Sequence, residues 1–247
     1  MKWLLVTVLA IALPASAAVN DIFVAGETLD FELTWVAISG GGMRMTIGPL
    51  ANDPLHFRIT SVAKSSSSLA FLIKFRDQIE SIVNRDDLST IRYAKHLNEK
   101  GRSKDDSTVI DERRKIAIRR RPNKDTEEVI VPKPVFDPLS LVYHIRQLPL
   151  EPGNTQRFAV FADGKLYTLE AKIMFRESLS TPAGTFNTVV VEPKMLAGGL
   201  FRDEGDLRIW YTDDARHIPV QIRSDLKIGS ITATLKRMRT GVTSIEP

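Results

Sequence analysis

The chain has 247 residues, 43% of them hydrophobic and 26% charged, with a formal charge of +4. These are ordinary values for a globular protein, and so small a positive excess leaves no electrostatic footprint for nucleic acid. There is no cysteine, which excludes disulfides, thiol catalysis, zinc–thiolate sites and a lipid-modified cysteine.

The first residues read as a targeting segment. Lys2 is the only charge before Asp21, and Trp3 to Leu13 is apolar apart from Thr7. Pro14 ends the run, and Ala15-Ser16-Ala17 puts small residues where a signal peptidase reads. The run is too short for the ~20 residues a membrane-spanning helix needs. We therefore expect export to the periplasm with cleavage near Ala17, and no transmembrane segment in residues 18–247. Loss of Lys2 would lower the formal charge from +4 to +3.

Beyond residue 18 the expectation is a single β-rich domain. Leu29, Phe31, Leu33 and Trp35 alternate with polar residues, as do Tyr167 to Phe175 and Ile231 to Leu235. Shorter runs at Leu55–Val62, Ile91–Leu97 and Val220–Ile222 follow the same period of two, which marks strands with one wet face. About a dozen strands joined by turns such as Ala162-Asp163-Gly164 and Pro182-Ala183-Gly184 imply a curved antiparallel sheet: a barrel, half-barrel or sandwich. Gly40-Gly41-Gly42 closes the first strand as a corner; with no Lys-Ser/Thr after it, it is not a phosphate-binding loop.

Two segments depart from this rhythm. Residues 99–133 are highly polar and read as a projecting basic hairpin. They carry Arg113, Arg114, Lys115, Arg119, Arg120 and Arg121, which could meet anionic headgroups or could be a solvated face. Residues 138–147 read as a short helix. Asp137 caps it, Pro138 opens it, and Leu141, Val142 and Ile145 form one apolar stripe.

Candidate chemistry is thin. Asp77 and Ser81 fall on the apolar phase of the Phe71–Val83 strand, and Lys95 does so between Tyr93 and Leu97. An unpaired buried charge is costly. Either these residues pair, or the strands bulge, or the inner face lines a wet cavity able to take a lipid or small ligand. His56 and His96 lie on polar phases. Asp213, Asp214 and His217 could converge on a cation or simply form a turn. Glu204 with Asp206 is a carboxylate pair without further context. No cofactor is expected.

Several short motifs occur in order: Gly26-Glu27-Thr28-Leu29, then Asp137-Pro138-Leu139-Ser140 with Tyr143 and Arg146. Pro182-Ala183-Gly184-Thr185-Phe186, Trp210-Tyr211-Thr212-Asp213, Ile218-Pro219-Val220 and Ile228-Gly229-Ser230 follow. This set resembles the exported bacterial family known as domain of unknown function 3108, over about residues 24–238. The resemblance implies a periplasmic, mostly β protein and supplies no catalytic residue. The expected role is a non-enzymatic envelope binding or carrier protein with an apolar ligand in a concave sheet. The alternatives are an envelope assembly protein using an edge strand or the basic hairpin, and a hydrolase of envelope glycans or lipids.

Overall fold

The computed structural model describes residues 23, 26–36, 38–66, 74–99, 102–195, 206–225 and 229–241. The targeting segment, Phe71, Ile73, Glu204 and Ile228 therefore lie outside the described residues. The alternating runs form β1 (Glu27–Trp35), β2 (Ile38–Leu50), β3 (Asp53–Ser65), β4 (Phe75–Asn84), β5 (Thr90–Glu99), β6 (Arg102–Asp111), β7 (Ile116–Arg120) and β8 (Glu127–Ile130). A helix, α1 (Pro138–His144), and a single 3-10 turn (Ile145–Gln147) separate these from β9 (Thr155–Ala162), β10 (Lys165–Thr181), β11 (Gly184–Met195), β12 (Leu207–Thr212), β13 (Pro219–Asp225) and β14 (Ser230–Thr240).

All fourteen strands belong to one antiparallel sheet in which sequence neighbours are spatial neighbours. The exception is its middle, where β1 pairs with β14. The sheet consequently has its two edges at β8 and β9, and it does not close. The polar stretch 99–133 extends the sheet as β6 to β8, where a projecting hairpin was expected. Gly40 to Gly42 lie within β2 and do not form a corner. Gly41 is required there because a Cβ would fall 2.1 Å from the Lys64 carbonyl oxygen.

Residues 131–150 occupy the seam between the edges. Thr90 N–H donates to the Val135 carbonyl, and Phe136 exchanges backbone bonds with Ala159 and Phe161 on β9. A small cluster of Ile110, Ala117, Val131, Val135 and Phe161 seals this seam with side chains from both flanks. The turn Asp163-Gly164 reaches across as well, since Arg119 Nη1 on β7 donates to the Asp163 carbonyl at 2.8 Å. Gly164 has φ of +82°, and a Cβ there would stand 2.5 Å from Arg119 Nη1. The positive φ is what favours glycine here.

The helix is buried on two sides, so the single stripe read from sequence is incomplete. Leu139 and Tyr143 join the main core with Leu29, Phe31, Phe57 and Ile59. Leu141 and Ile145 join a second core with Phe158, Val160, Val189 and Tyr211. Asp137 caps the helix as expected, accepting from Leu139 N–H at 2.8 Å and Ser140 N–H at 2.9 Å. Its carboxylate also accepts from Ser81 Oγ at 2.9 Å and Thr90 Oγ1 at 2.7 Å.

Arg146 follows the helix and is wholly buried. Its guanidinium donates to both oxygens of Glu27, at 2.7 and 2.9 Å, and both side chains are 0% exposed. It also lies over the rings of Phe23 and Tyr143 and donates through Nε to the Arg216 carbonyl at 3.1 Å. One bidentate pair thus joins the first strand, the helix and the β12–β13 connection.

Removing one partner leaves the other charge buried and alone. Glu27→Ala should therefore cost about 3–5 kcal/mol of unfolding free energy in urea. The double variant Glu27→Met with Arg146→Met should cost less than either single change. A double cost equal to the sum of the two single costs would show that the charges are not coupled.

Candidate functional site

The strand register lets the inner face be followed row by row away from the helix. Ile47, Ile59, Ser81 and Tyr93 stand opposite one another on β2 to β5, and all four are buried. In the next row come Leu29, Met45, Ser61, Ile79 and Lys95, of which Ile79 and Lys95 are half-buried. The third row is Phe31, Met43, Ala63, Asp77 and Leu97, and only Phe31 is fully buried. Leu33, Gly41 and Ser65 follow, each half-buried. At the rim Trp35 pairs with Ile38 on one side and Ile231 on the other; these isoleucines are 59% and 43% exposed.

Burial thus falls steadily from the helix end to the rim while the side chains stay mainly apolar. α1 and the 131–150 segment cover one end of the strands, and Leu179, Ala183 and Phe186 of the β10–β11 hairpin pack against the same core. At the other end Leu33, Met43 and Ile79 pack against the core yet keep part of their surface uncovered. We term this half-buried, mainly apolar part of the inner face the mouth.

The polar residues placed on this face by their phase are separated by the structure. Ser81 is at the closed end and serves the Asp137 cap. Asp77 is in the mouth, where its carboxylate accepts from the Asn98 backbone N–H at 3.2 Å. Lys95 lies between them, half-buried and ion-paired with Asp163 in the β9–β10 turn. Pairing therefore accounts for Ser81 and Lys95. Burial raises the Tyr93 phenol well above its ordinary value and pushes the Asp137 carboxyl upward, against the hydrogen bonds that favour its charge.

The six basic residues do not form one surface. Arg113, Arg114 and Lys115 occupy the β6–β7 turn, where Asp111 accepts the backbone N–H groups of Arg113 and Arg114. Arg119 points inward and is held by Asp106 and Glu127. Arg121 pairs with Glu127, and Arg114 pairs with Glu128. Arg120 and Arg121 line a recess of about 460 Å³ on β4–β7, together with Glu80, His96, Asp105 and Asp106. Its carboxylates and guanidiniums are intermixed, which makes it a poor cradle for an anion.

The histidines are structural. His56 and His96 bond Asp53 and Asp105. His217 Nδ1 donates to the Arg146 carbonyl at 3.0 Å, while Asp213 binds Arg176 and Asp214 binds Arg216. The 212–217 segment is thus a turn, and among the described residues no group of three or more His, Asp or Glu is placed to hold a metal. The mouth residues Leu33, Met43 and Leu97 were not singled out from sequence. Their strand phase was visible, but not the fact that one end of each strand goes uncovered.

Three comparisons bear on this arrangement. A family model described as "Protein of unknown function (DUF3108)" matches residues 30–236. Among solved structures, a β-barrel-like protein of domain of unknown function DUF1849 from Brucella abortus is similar at a TM-score of 0.59 with 9% identity, covering 89% of this chain and 99% of that one. A DUF1089 family protein from Pseudomonas aeruginosa has a TM-score of 0.38 with 11% identity, over 75% of this chain and 90% of the other. No curated protein matches. At such identities the first structure supports the barrel-like fold alone.

His144 offers a test of how tightly the helix end is packed. Its ring lies between Phe136 and Phe158, and Nδ1 donates to the Asp87 carbonyl at 2.7 Å. Burial lowers its pKa below 6.5. The unfolded chain therefore binds this proton more readily, and stability should fall as pH drops through 6.5 toward the lower folded value. In His144→Gln, the plot of unfolding free energy against pH between roughly 7 and 5 should be flatter than in wild type. An unchanged slope would mean that His144 does not titrate differently on folding.

Proposed function

The chain belongs to the DUF3108 family, and we propose that it is an exported envelope protein that binds an apolar ligand in the mouth of its half-open sheet, without catalysing a reaction. The observation that carries this reading is the burial gradient on the inner face. Apolar side chains at Leu33, Met43, Ile79 and Leu97 continue beyond the part that the helix covers. A protein with no use for that surface would gain about 25 cal/mol for each Å² of it removed from water. Half-open β structures with apolar walls and a few polar groups suit acyl chains and similar small ligands. Asp77, at the wall of the mouth, would orient a ligand's polar end.

An assembly role through an exposed strand edge has less support. The β8 edge is only four residues long and carries Glu127 and Glu128. Short, charged edges are those that resist strand addition.

The reading is tested with a fluorescent naphthylamine probe and by native mass spectrometry of protein recovered from the periplasm. Wild type should enhance the probe's emission and carry a co-purified lipid-sized adduct. Met43→Trp, which fills the mouth, should weaken probe binding by tenfold or more, about 1.4 kcal/mol. Absence of adduct and an identical probe affinity in Met43→Trp would overturn the proposal. Export is checked in the same preparation, where the mature protein should begin at Ala18 or Val19.

A further inference from the structure

The open end of the sheet carries a second feature that the carrier role does not require. At the β1–β2 tip, Val36 and Ile38 are 54% and 59% exposed, and Ile231 stands beside them on β14. Val36 has φ of +47°. That left-handed conformation is unfavourable for a β-branched residue, whereas Gly or Asn takes it readily. The position thus keeps an apolar side chain in contact with water despite a backbone that favours a different residue. Strain retained at an exposed tip points to use of the side chain itself.

Cations accompany this tip. Lys64 on β3 stands directly opposite Arg76 on β4, and Lys74 lies just before that strand. Like charges facing each other across a strand pair repel. Elsewhere on these strands the arginines are compensated, Arg44 by Asp30 and both Arg58 and Arg92 by Glu80. Lys64, Lys74 and Arg76 make no ion pair with any described residue. Three carboxylates at this end have other partners: Glu32 accepts from Ser39 Oγ, Asp225 from Arg223 and Asp77 from Asn98.

We propose that this rim docks on an anionic lipid bilayer, with Val36, Ile38, Ile231 and Trp35 entering the headgroup–acyl boundary and Lys64, Lys74 and Arg76 meeting the headgroup charge. A bilayer suits this combination better than an acidic protein surface. Aliphatic and indole side chains at a tip lose water in the boundary layer, while each nearby cation gains from the surface potential. The rim is also the edge of the mouth, so docking would bring the proposed binding site against lipid. That consequence rests on the carrier reading, whereas docking itself does not.

The experiment is co-sedimentation of the full chain with vesicles of phosphatidylcholine alone or with phosphatidylcholine plus phosphatidylglycerol. Wild type should pellet with the anionic vesicles, with a blue-shifted tryptophan emission, and should release as salt rises. Lys64→Gln with Arg76→Gln should weaken anionic-vesicle binding by tenfold or more. Val36→Asn with Ile38→Ser should do the same while keeping thermal stability at or above wild type, because Asn tolerates the positive φ. Equal pelleting with both vesicle types, no pelleting at all, or wild-type binding by both variants would overturn docking. Naphthylamine binding by the same variants in solution keeps the two readings distinguishable: it should persist when docking is lost, and its failure would count against the carrier reading alone.

Discussion

A fourteen-strand sheet whose edges do not pair must be held in its curve by something other than the backbone ladder. Here the holding is done by side chains and by one irregular segment. Residues 131–150 lie in the seam, and the bidentate bond between Arg146 and Glu27 joins that segment to the middle of the sheet. The Asp163-Gly164 turn adds an ionic fastening through Lys95 and Arg119. Isolated buried ions are expensive, but Arg146 and Arg119 are each held by several partners at once. The curvature of the inner face follows from these few contacts.

The same segment divides the inner face into two chemical regions. Where α1 lies over the strands, Phe57, Ile59, Tyr93 and Leu139 form an ordinary close-packed core. Where it does not reach, the same strands present Leu33, Met43 and Leu97 half-covered. No change in residue type marks the boundary. It is set by the length of a helix that Asp137 starts and that gives way to a 3-10 turn at Ile145. Polar residues follow the same division: Ser81 is spent on the helix cap, while Asp77 remains near the opening.

Much of the architecture could be read from periodicity. The alternation in Leu29–Trp35 and Tyr167–Phe175, the Asp137-Pro138 helix start and the Asp163-Gly164 turn all depend on local rules that tertiary context did not override. The misreadings share a physical cause. Residues 99–133 look like a projecting hairpin because their strands are rich in charge, and only their partners across the sheet, such as Asp106 for Arg119, explain how that charge is tolerated. Gly40 to Gly42 look like a corner because the crowding that demands Gly41 comes from Lys64, which sequence distance hides. Arg146 stands at the end of the helix, yet its partner Glu27 lies in the first strand, and no local rule joins the two. The mouth was hardest to see, since partial burial depends on what covers a strand and not on the strand itself.

The pairing of β1 with β14 carries a consequence for how the protein is made. Strands β1 to β8 and β9 to β14 are two meanders, each built from local hairpins that can form early. Their shared boundary, from Glu27 against Thr240 to Trp35 against Ile231, can form only once the last strand has emerged. Until then the middle of the finished sheet is two unpaired strand edges, the state most open to mispairing with other chains. A chain delivered from its N-terminus would pass through that state every time, and its final strand would act as the closing zip.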